Sequence, residues 1–386
     1  MNRIMIKLCA FAVLLAVGSC GSVEGQEKNE NPNQETNQLS EEHQTITQLR
    51  FIDEYIIPDG TVFQNTIVGG ISGIDYANNT WYMISDDRIA PRFYTAAIAL
   101  SSEGIAAINF TGITNFKDAN GANVKESITD PEAIRYGHEN IVWTSEGNID
   151  KGIAPFLRTA SLDGTFVSEA TLPERYMPNA ASTFGPRQNG VFEGLCVSYD
   201  REGYWVSMEL PLKQDSEVPT LEDTDAKIRI AYINKATNAF EKEIVYDLDP
   251  VARPALLGTT FEVNGVAELF AYAENKFLVL ERSFSTGYLD GGNTIKIYDV
   301  DATNATDVSG LASLKGAEYT EVSKTLLLDF ETIRSELTGG IIDNIEGITF
   351  GPLLENGNRS LVLVADNNFS FFGPQLNQFI LLEIEQ

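Results

Sequence analysis

The sequence predicts an all-β fold: a β-propeller of five four-stranded blades, closed by an N-terminal strand that completes the last blade. Two observations carry this. From Gln48 onward no long apolar stripe of helical period appears; short runs rich in Val, Ile, Tyr, Phe and Thr alternate with Gly, Asn and Asp turns. A two-part signal also recurs through the body. Its first part is a short residue or Glu, then a small residue, then a strand: Ser72-Gly73-Ile74, Glu132-Ala133-Ile134, Glu193-Gly194-Leu195 and Glu346-Gly347-Ile348, with a looser copy at Ala267-Glu268-Leu269. Its second part follows 13 to 20 residues later as a strand ending in an acid: Asp86, Glu146, Glu209, Glu281 and Asp366.

Each copy continues with two further strands. Phe156 to Leu162 and Phe166 to Leu172 follow Glu146; Lys227 to Asn234 and Phe240 to Leu248 follow Glu209; Thr294 to Val300 and Thr325 to Phe330 follow Glu281. Four strands per repeat is a propeller blade. The last repeat has only Asn377 to Ile384 as its third strand, while Leu49 to Ile57 is an orphan at the other end. Pairing the two hides both open sheet edges. A sixth blade remains an alternative if residues 301–324 hide a degenerate one.

Three segments are expected. Arg3 and Lys7 precede ten apolar residues, Leu8 to Val17, too short to span a bilayer and typical of a signal peptide. Val17-Gly18-Ser19-Cys20 resembles a bacterial lipobox, which implies removal of residues 1–19 and lipid attachment at Cys20; an ordinary secretory signal is the plainer reading. Residues 20–48 have almost nothing to bury and read as a flexible polar tether. Residues 49–386 form the propeller domain. The expected location is the cell envelope, as an extracytoplasmic outer-membrane or surface lipoprotein held by its lipid alone.

Composition narrows the chemistry. The 386 residues carry 27 Lys and Arg against 55 Asp and Glu, a net charge of -28, which argues against nucleic acid as a partner. His43 and His138 are the only histidines, so a His-rich metal site is excluded. Cys196 stands alone in the body and has no partner for an internal disulfide. A monomer is expected.

Propeller topology makes the acids converge. The first strand of a blade lines the channel and the second runs antiparallel beside it, so the start of one and the end of the other share a mouth. That places Glu132, Glu193, Glu268 and Glu346 around the mouth, with Asp86, Glu146, Glu209, Glu281 and Asp366 beside them. Like charges this close repel by several kcal/mol, and a hard cation such as Ca²⁺, which takes about six to eight oxygen ligands, is the simplest compensation. Glu193 and Glu346 are the catalytic candidates, because each adjoins a Gly that lets a ligand approach the backbone. Glu132, Glu193, Glu268, Glu346, Asp86, Glu209 and Asp366 are the candidate metal ligands. Arg88, Arg187 and Arg282 lie near these motifs and are candidates for gripping a phosphate.

The stretches Gly-Gly-Ile-Ser-Gly-Ile-Asp-Tyr (69–76), Ile-Ser-Asp-Asp-Arg (84–88), Asp-Pro-Glu-Ala-Ile (130–134), Asn-Gly-Val-Phe-Glu-Gly-Leu (189–195) and Asn-Ile-Glu-Gly-Ile-Thr-Phe (344–350) resemble the phytase-like family, also described by its esterase-like activity of phytase. The resemblance runs from about Gln48 to Gln386 and implies a secreted bacterial propeller hydrolysing phosphoesters. Well-characterised propeller phytases use calcium, and this chain is similar to them in general plan only. Two readings follow. One is a Ca²⁺-dependent phosphoesterase acting on a small phosphomonoester or phosphodiester. The other is a non-catalytic surface propeller that binds a glycan, a phosphorylated ligand or a protein.

Overall fold

The computed structural model describes residues 45–124, 129–179, 182–256, 261–371 and 373–385. The expected signal peptide, Cys20 and most of the expected tether lie outside the described residues. Strand β1 (Gln48–Ile57) is followed by a small hairpin, β2 (Val62–Phe63) and β3 (Thr66–Ile67). Blade 1 is β4 (Ile71–Ala77), β5 (Thr80–Ser85), β6 (Arg92–Ser101) and β7 (Gly104–Asn115). Blade 2 is β8 (Pro131–Tyr136), β9 (Asn140–Ser145), β10 (Phe156–Ser161) and β11 (Phe166–Glu169). Blade 3 is β12 (Phe192–Val197), β13 (Gly203–Met208), β14 (Lys227–Asn234) and β15 (Ala239–Asp247). Blade 4 is β16 (Glu262–Ala273), β17 (Lys276–Ser285), β18 (Asn293–Asp301) and β19 (Ser323–Asp329). Blade 5 is β20 (Ile345–Leu353), β21 (Arg359–Ala365) and β22 (Asn377–Glu385), with β1 as its outer strand.

Each blade is a four-stranded antiparallel sheet, and the count is five. Residues 301–324 do not form a sixth: they cross from blade 4 to the edge of blade 3, where Val308 and Leu314 pack on Val245. The first strands pack in sequence, β4 on β8, β8 on β12, β12 on β16, β16 on β20, and β20 back on β4, which closes the ring. β1 pairs with β22 from Gln48 opposite Glu385 to Ile57 opposite Asn377. The two ends of the propeller domain thus hydrogen-bond to each other, and the ring opens only by breaking that ladder.

The small residue of the repeated motif has a steric cause. The first strands approach so closely that a Cβ on Gly73 would sit 2.9 Å from the Glu132 carbonyl oxygen, and one on Gly347 would sit 3.1 Å from Gly73 Cα. At the same level every blade shifts register by a bulge: Ile71/Gly73, Pro131/Ile134, Phe192/Leu195, Val266/Glu268 and Ile345/Gly347. Bulges re-aim side chains, and here they turn the motif residues toward the axis. Trp81, Trp143 and Trp205 are buried in the core, as their equivalent second-strand positions predict.

Candidate active site

Register assigns each motif residue to a level in the funnel. The first-strand position that holds Glu132, Glu193 and Glu346 is Ser72 in blade 1 and Ala267 in blade 4. Glu268 is one residue further on, opposite Leu280, where Gly73 stands opposite Ile84 and Gly347 opposite Val364. The side chains of a strand alternate faces, so one step changes the direction in which the side chain projects. The second strands show the same slip. Asp86, Glu146, Glu209 and Asp366 donate their N–H groups to the carbonyls of Gly70 (2.6 Å), Asp130 (3.1 Å), Val191 (2.8 Å) and Asn344 (2.9 Å). The blade 4 residue at that level is Arg282, opposite Gly265, and not Glu281.

Three expected positions are therefore corrected. Glu268 leaves the mouth and lies fully buried on the axis. Its Oε2 is 2.7 Å from an Arg135 terminal nitrogen, and its Oε1 accepts the N–H groups of Leu195 (2.6 Å) and Leu269 (3.0 Å). Arg135 donates in turn to the carbonyls of Ile74 (2.7 Å), Ile134 (2.8 Å), Ile348 (3.2 Å) and Leu269 (3.4 Å). Together the two side chains bind the first strand of all five blades and close the channel floor. Glu281 is buried between blades 3 and 4, away from the mouth acids, and accepts from Tyr246 Oη (2.6 Å), Lys324 Nζ (2.7 Å) and Asn264 Nδ2 (2.7 Å). Arg187 braces a loop through the Pro211 and Ser216 carbonyls, both at 3.0 Å, and takes no mouth carboxylate.

What remains at the mouth is a lopsided ring. Asp86, Asp130 and Glu132 bring one oxygen each within 4.8 Å of one another, and Glu132, Glu146 and Glu193 do the same. The two groups share Glu132 and span blades 1 to 3. Asp130 is the residue that the repeat search missed; it lies two residues before Glu132, just ahead of β8. On the other side Arg282 donates to Glu209 Oε1 (2.8 Å) and Asn344 Oδ1 (2.7 Å) and lies 3.6 Å from Glu346. Asn344 Nδ2 also donates to Glu346 (2.9 Å). Glu209 and Glu346 are thus compensated within the chain. Arg88 Nε donates to Asp130 Oδ1 (2.5 Å) with its side chain half exposed.

The uncompensated acids are costly to ionise. Burial, then the charges of neighbouring carboxylates, push Asp86, Glu132 and Glu193 well above the usual carboxylate range. Burial, then Glu209 and Asp130, raises Glu146 to about 8. Burial raises Asp366 to about 6 against the hydrogen bond from the Asn368 N–H. Glu346 is raised by burial although Arg282 opposes it. Arg88 serves Asp130 and the Val191 N–H serves Glu146, but Glu132, Glu193 and the buried Asp86 Oδ1 have no hydrogen-bond donor among the described residues. Oxygen-only, buried ligands of this kind suit a hard divalent cation, and these clusters could hold one.

A five-bladed ring with a carboxylate funnel at one mouth and an arginine-sealed floor defines a propeller with a one-ended site. The sequence model of the phytase-like family, described as esterase-like activity of phytase, matches residues 66–369, and the chain belongs to that family. No curated protein sequence matches. Among solved structures the chain is similar to several at low identity and low TM-score. The catalytic domain of the Coprinopsis cinerea GH62 alpha-L-arabinofuranosidase is 9% identical with a TM-score of 0.42, covering 88% of this chain and 98% of that one. The GH43 endo-arabinanase from Bacillus licheniformis is 12% identical with a TM-score of 0.36, covering 81% and 94%. The periplasmic gluconolactonase of Pseudomonas aeruginosa is 11% identical with a TM-score of 0.34, covering 83% and 90%.

Proposed function

We propose that this protein is an extracytoplasmic, cation-dependent phosphoesterase working at the carboxylate mouth, with calcium as the cation. The carrying observation is the pair of buried carboxylate groups joined at Glu132, with Arg88 at one flank and Arg282 at the other. Acids serving only structure are expected to be tied to donors, as Glu268 and Glu281 are. Glu132 and Glu193 are not.

In this reading Asp86, Asp130 and Glu132 would hold the cation, with Glu146 beside Glu132 in the second group, and when bound it would draw electron density from the phosphoryl oxygens and offset the charge that builds there. Arg88 is half exposed, and its terminal nitrogens make no hydrogen bond among the described residues, so they can take a phosphoryl oxygen bidentately. Arg282 supplies a second fixed positive charge. Glu193 has no protein donor on its carboxylate and accepts the proton of the attacking water. The water oxygen bonds to phosphorus, the ester P–O bond breaks, and the leaving oxygen takes a proton from solvent at the open mouth. Glu346 orients Arg282 rather than meeting substrate. With the floor sealed, substrate and products use one opening.

Release of phosphate or nitrophenol from a phosphomonoester and phosphodiester panel, with calcium and with chelator, tests this. Glu193→Gln keeps shape and is expected to lower turnover by on the order of 10² or more. A wild type inactive across the panel with calcium present overturns the enzyme reading. The self-compensated half of the mouth, Arg282 with Glu209 and Glu346, then favours the alternative of a binding propeller that grips an anionic ligand.

A further inference from the structure

The seam where the ring closes carries strained backbone at the mouth. After Asp366, three consecutive residues, Asn368, Phe369 and Ser370, have φ of 45°, 49° and 56°. The left-handed region is unfavourable for L residues and worst for bulky ones such as Phe. A run like this persists only where its surroundings hold it.

Those surroundings are two glycines of blade 1. Asn367, buried, accepts the Gly70 N–H at 2.8 Å and the Phe369 N–H at 3.3 Å on the same Oδ1. The Phe369 ring lies on the glycine pair. A Cβ on Gly70, whose φ is +61°, would sit 2.5 Å from the ring, and one on Gly69 would sit 2.7 Å from Asn367 Oδ1. Arg92 reaches the ring from another side, its guanidinium 5.8 Å from the centroid. The same two glycines hold the end of β5: the Gly70 carbonyl accepts the Asp86 N–H at 2.6 Å, and the Gly69 carbonyl accepts the Ser85 hydroxyl at 2.9 Å. On the blade 5 side, Asp366 Oδ1 accepts the Asn368 N–H at 2.7 Å, which fixes that carboxylate.

Asp366 and Asp86 are thus joined across the seam through Asn367, Phe369 and Gly69-Gly70. A turn that served only to connect β21 to β22 would relax with Gly at position 369; Phe keeps the strain and gains the ring on the glycines. We propose that Asn367 and Phe369 are positioning residues that set the placement of Asp86 against Asp366, and through it the cation affinity of the blade 1 side of the mouth. The inference rests on the cation-binding reading above.

The test titrates calcium alone into chelator-stripped full chain by calorimetry and reads the chelated melting temperature beside it. Phe369→Ala, and Gly70→Ala with its Cβ driven into the ring, are expected to weaken calcium about tenfold or more, the scale seen when outer partners of metal ligands are lost. Phe369→Tyr keeps the ring and the affinity. Phe369→Gly deletes the ring while relieving the left-handed φ, so weaker calcium binding with an unchanged or higher melting temperature separates positioning from stability. Folded variants that bind calcium as wild type does overturn the clip. A wild type that binds no calcium overturns the cation reading itself, and the clip with it.

Discussion

Replacing Arg135 by Met removes the cation that holds the channel floor. Glu268 stays behind, fully buried, with Leu195 and Leu269 N–H groups still on Oε1. Breaking a buried ion pair from one side costs on the order of 3–5 kcal/mol. In a domain of this size each kcal/mol moves the melting temperature by roughly 2 °C, so a drop of about 6–10 °C is expected near neutral pH. The dependence on pH is the sharper signature. Burial already raises Glu268 to about 7 with Arg135 present, against 4.5 as its ordinary value. A raised carboxyl lends its stability where it is protonated in both states and loses it as pH rises through the folded value; here that loss is on the order of 3 kcal/mol and is complete above about pH 7. Without Arg135 the Glu268 carboxyl climbs further, so this group goes on costing the variant stability at pH values where its contribution in wild type has levelled off. The gap between the two proteins should widen from about pH 6 to about pH 9. Adding Glu268→Gln keeps the acceptor for both backbone N–H groups and removes the charge, so the double variant should recover most of the loss and lose the pH dependence that Glu268 contributes. What stays lost belongs to the four carbonyls that Arg135 served. Thermal melts of the three proteins in chelator across that range decide it. A pH-independent loss, or a double variant no better than Arg135→Met alone, refutes the reasoning.

Other expectations concern the mouth and the anchor. Chelated wild type should lose melting temperature as pH rises from about 5 to about 8, because Asp366 (about 6) and Glu146 (about 8) are raised and their stabilisation fades through that window. The lowered acids, such as Asp249 at about 2, act only in stronger acid, so a flat or rising profile counts against the buried-carboxylate account. Calcium at one hundred times its dissociation constant should add about 2.7 kcal/mol, read as a melting temperature several degrees above the chelated sample; equal values would count against a cation at this mouth. Cys20→Ala should move the protein from the membrane pellet to the soluble fraction; unchanged fractionation would mean that lipid at Cys20 is not the anchor.

The repeat was legible because four of the five blades meet the same demand: a small residue where first strands nearly touch, and a polar residue at the bulge beside it. Closure was legible from a counting deficit, three strands at one end and an orphan at the other, and β1 pairs with β22 as that deficit requires. Blade 4 was where the reading slipped, and the reason is the two-residue period of a strand. Ala267-Glu268-Leu269 resembles the motif with its first two residues exchanged, and that exchange carries the carboxylate from the mouth to the axis. The same one-step offset buries Glu281 between blades 3 and 4 and puts Arg282 at the level of the acids. Neither slip changes composition, so counting acids per repeat could not detect it, while aligning each repeat on its small residue would have. Arg135 was hidden differently. It lies one residue past the strand-facing Ile134, in the position held by Asp75, Cys196, Phe270 and Thr349 in the other blades, and nothing in those five residue types announces a shared layer. Only the closed ring brings Arg135 within reach of Glu268, more than a hundred residues away, and turns one irregular blade into both the seal of the channel and the positive side of its mouth.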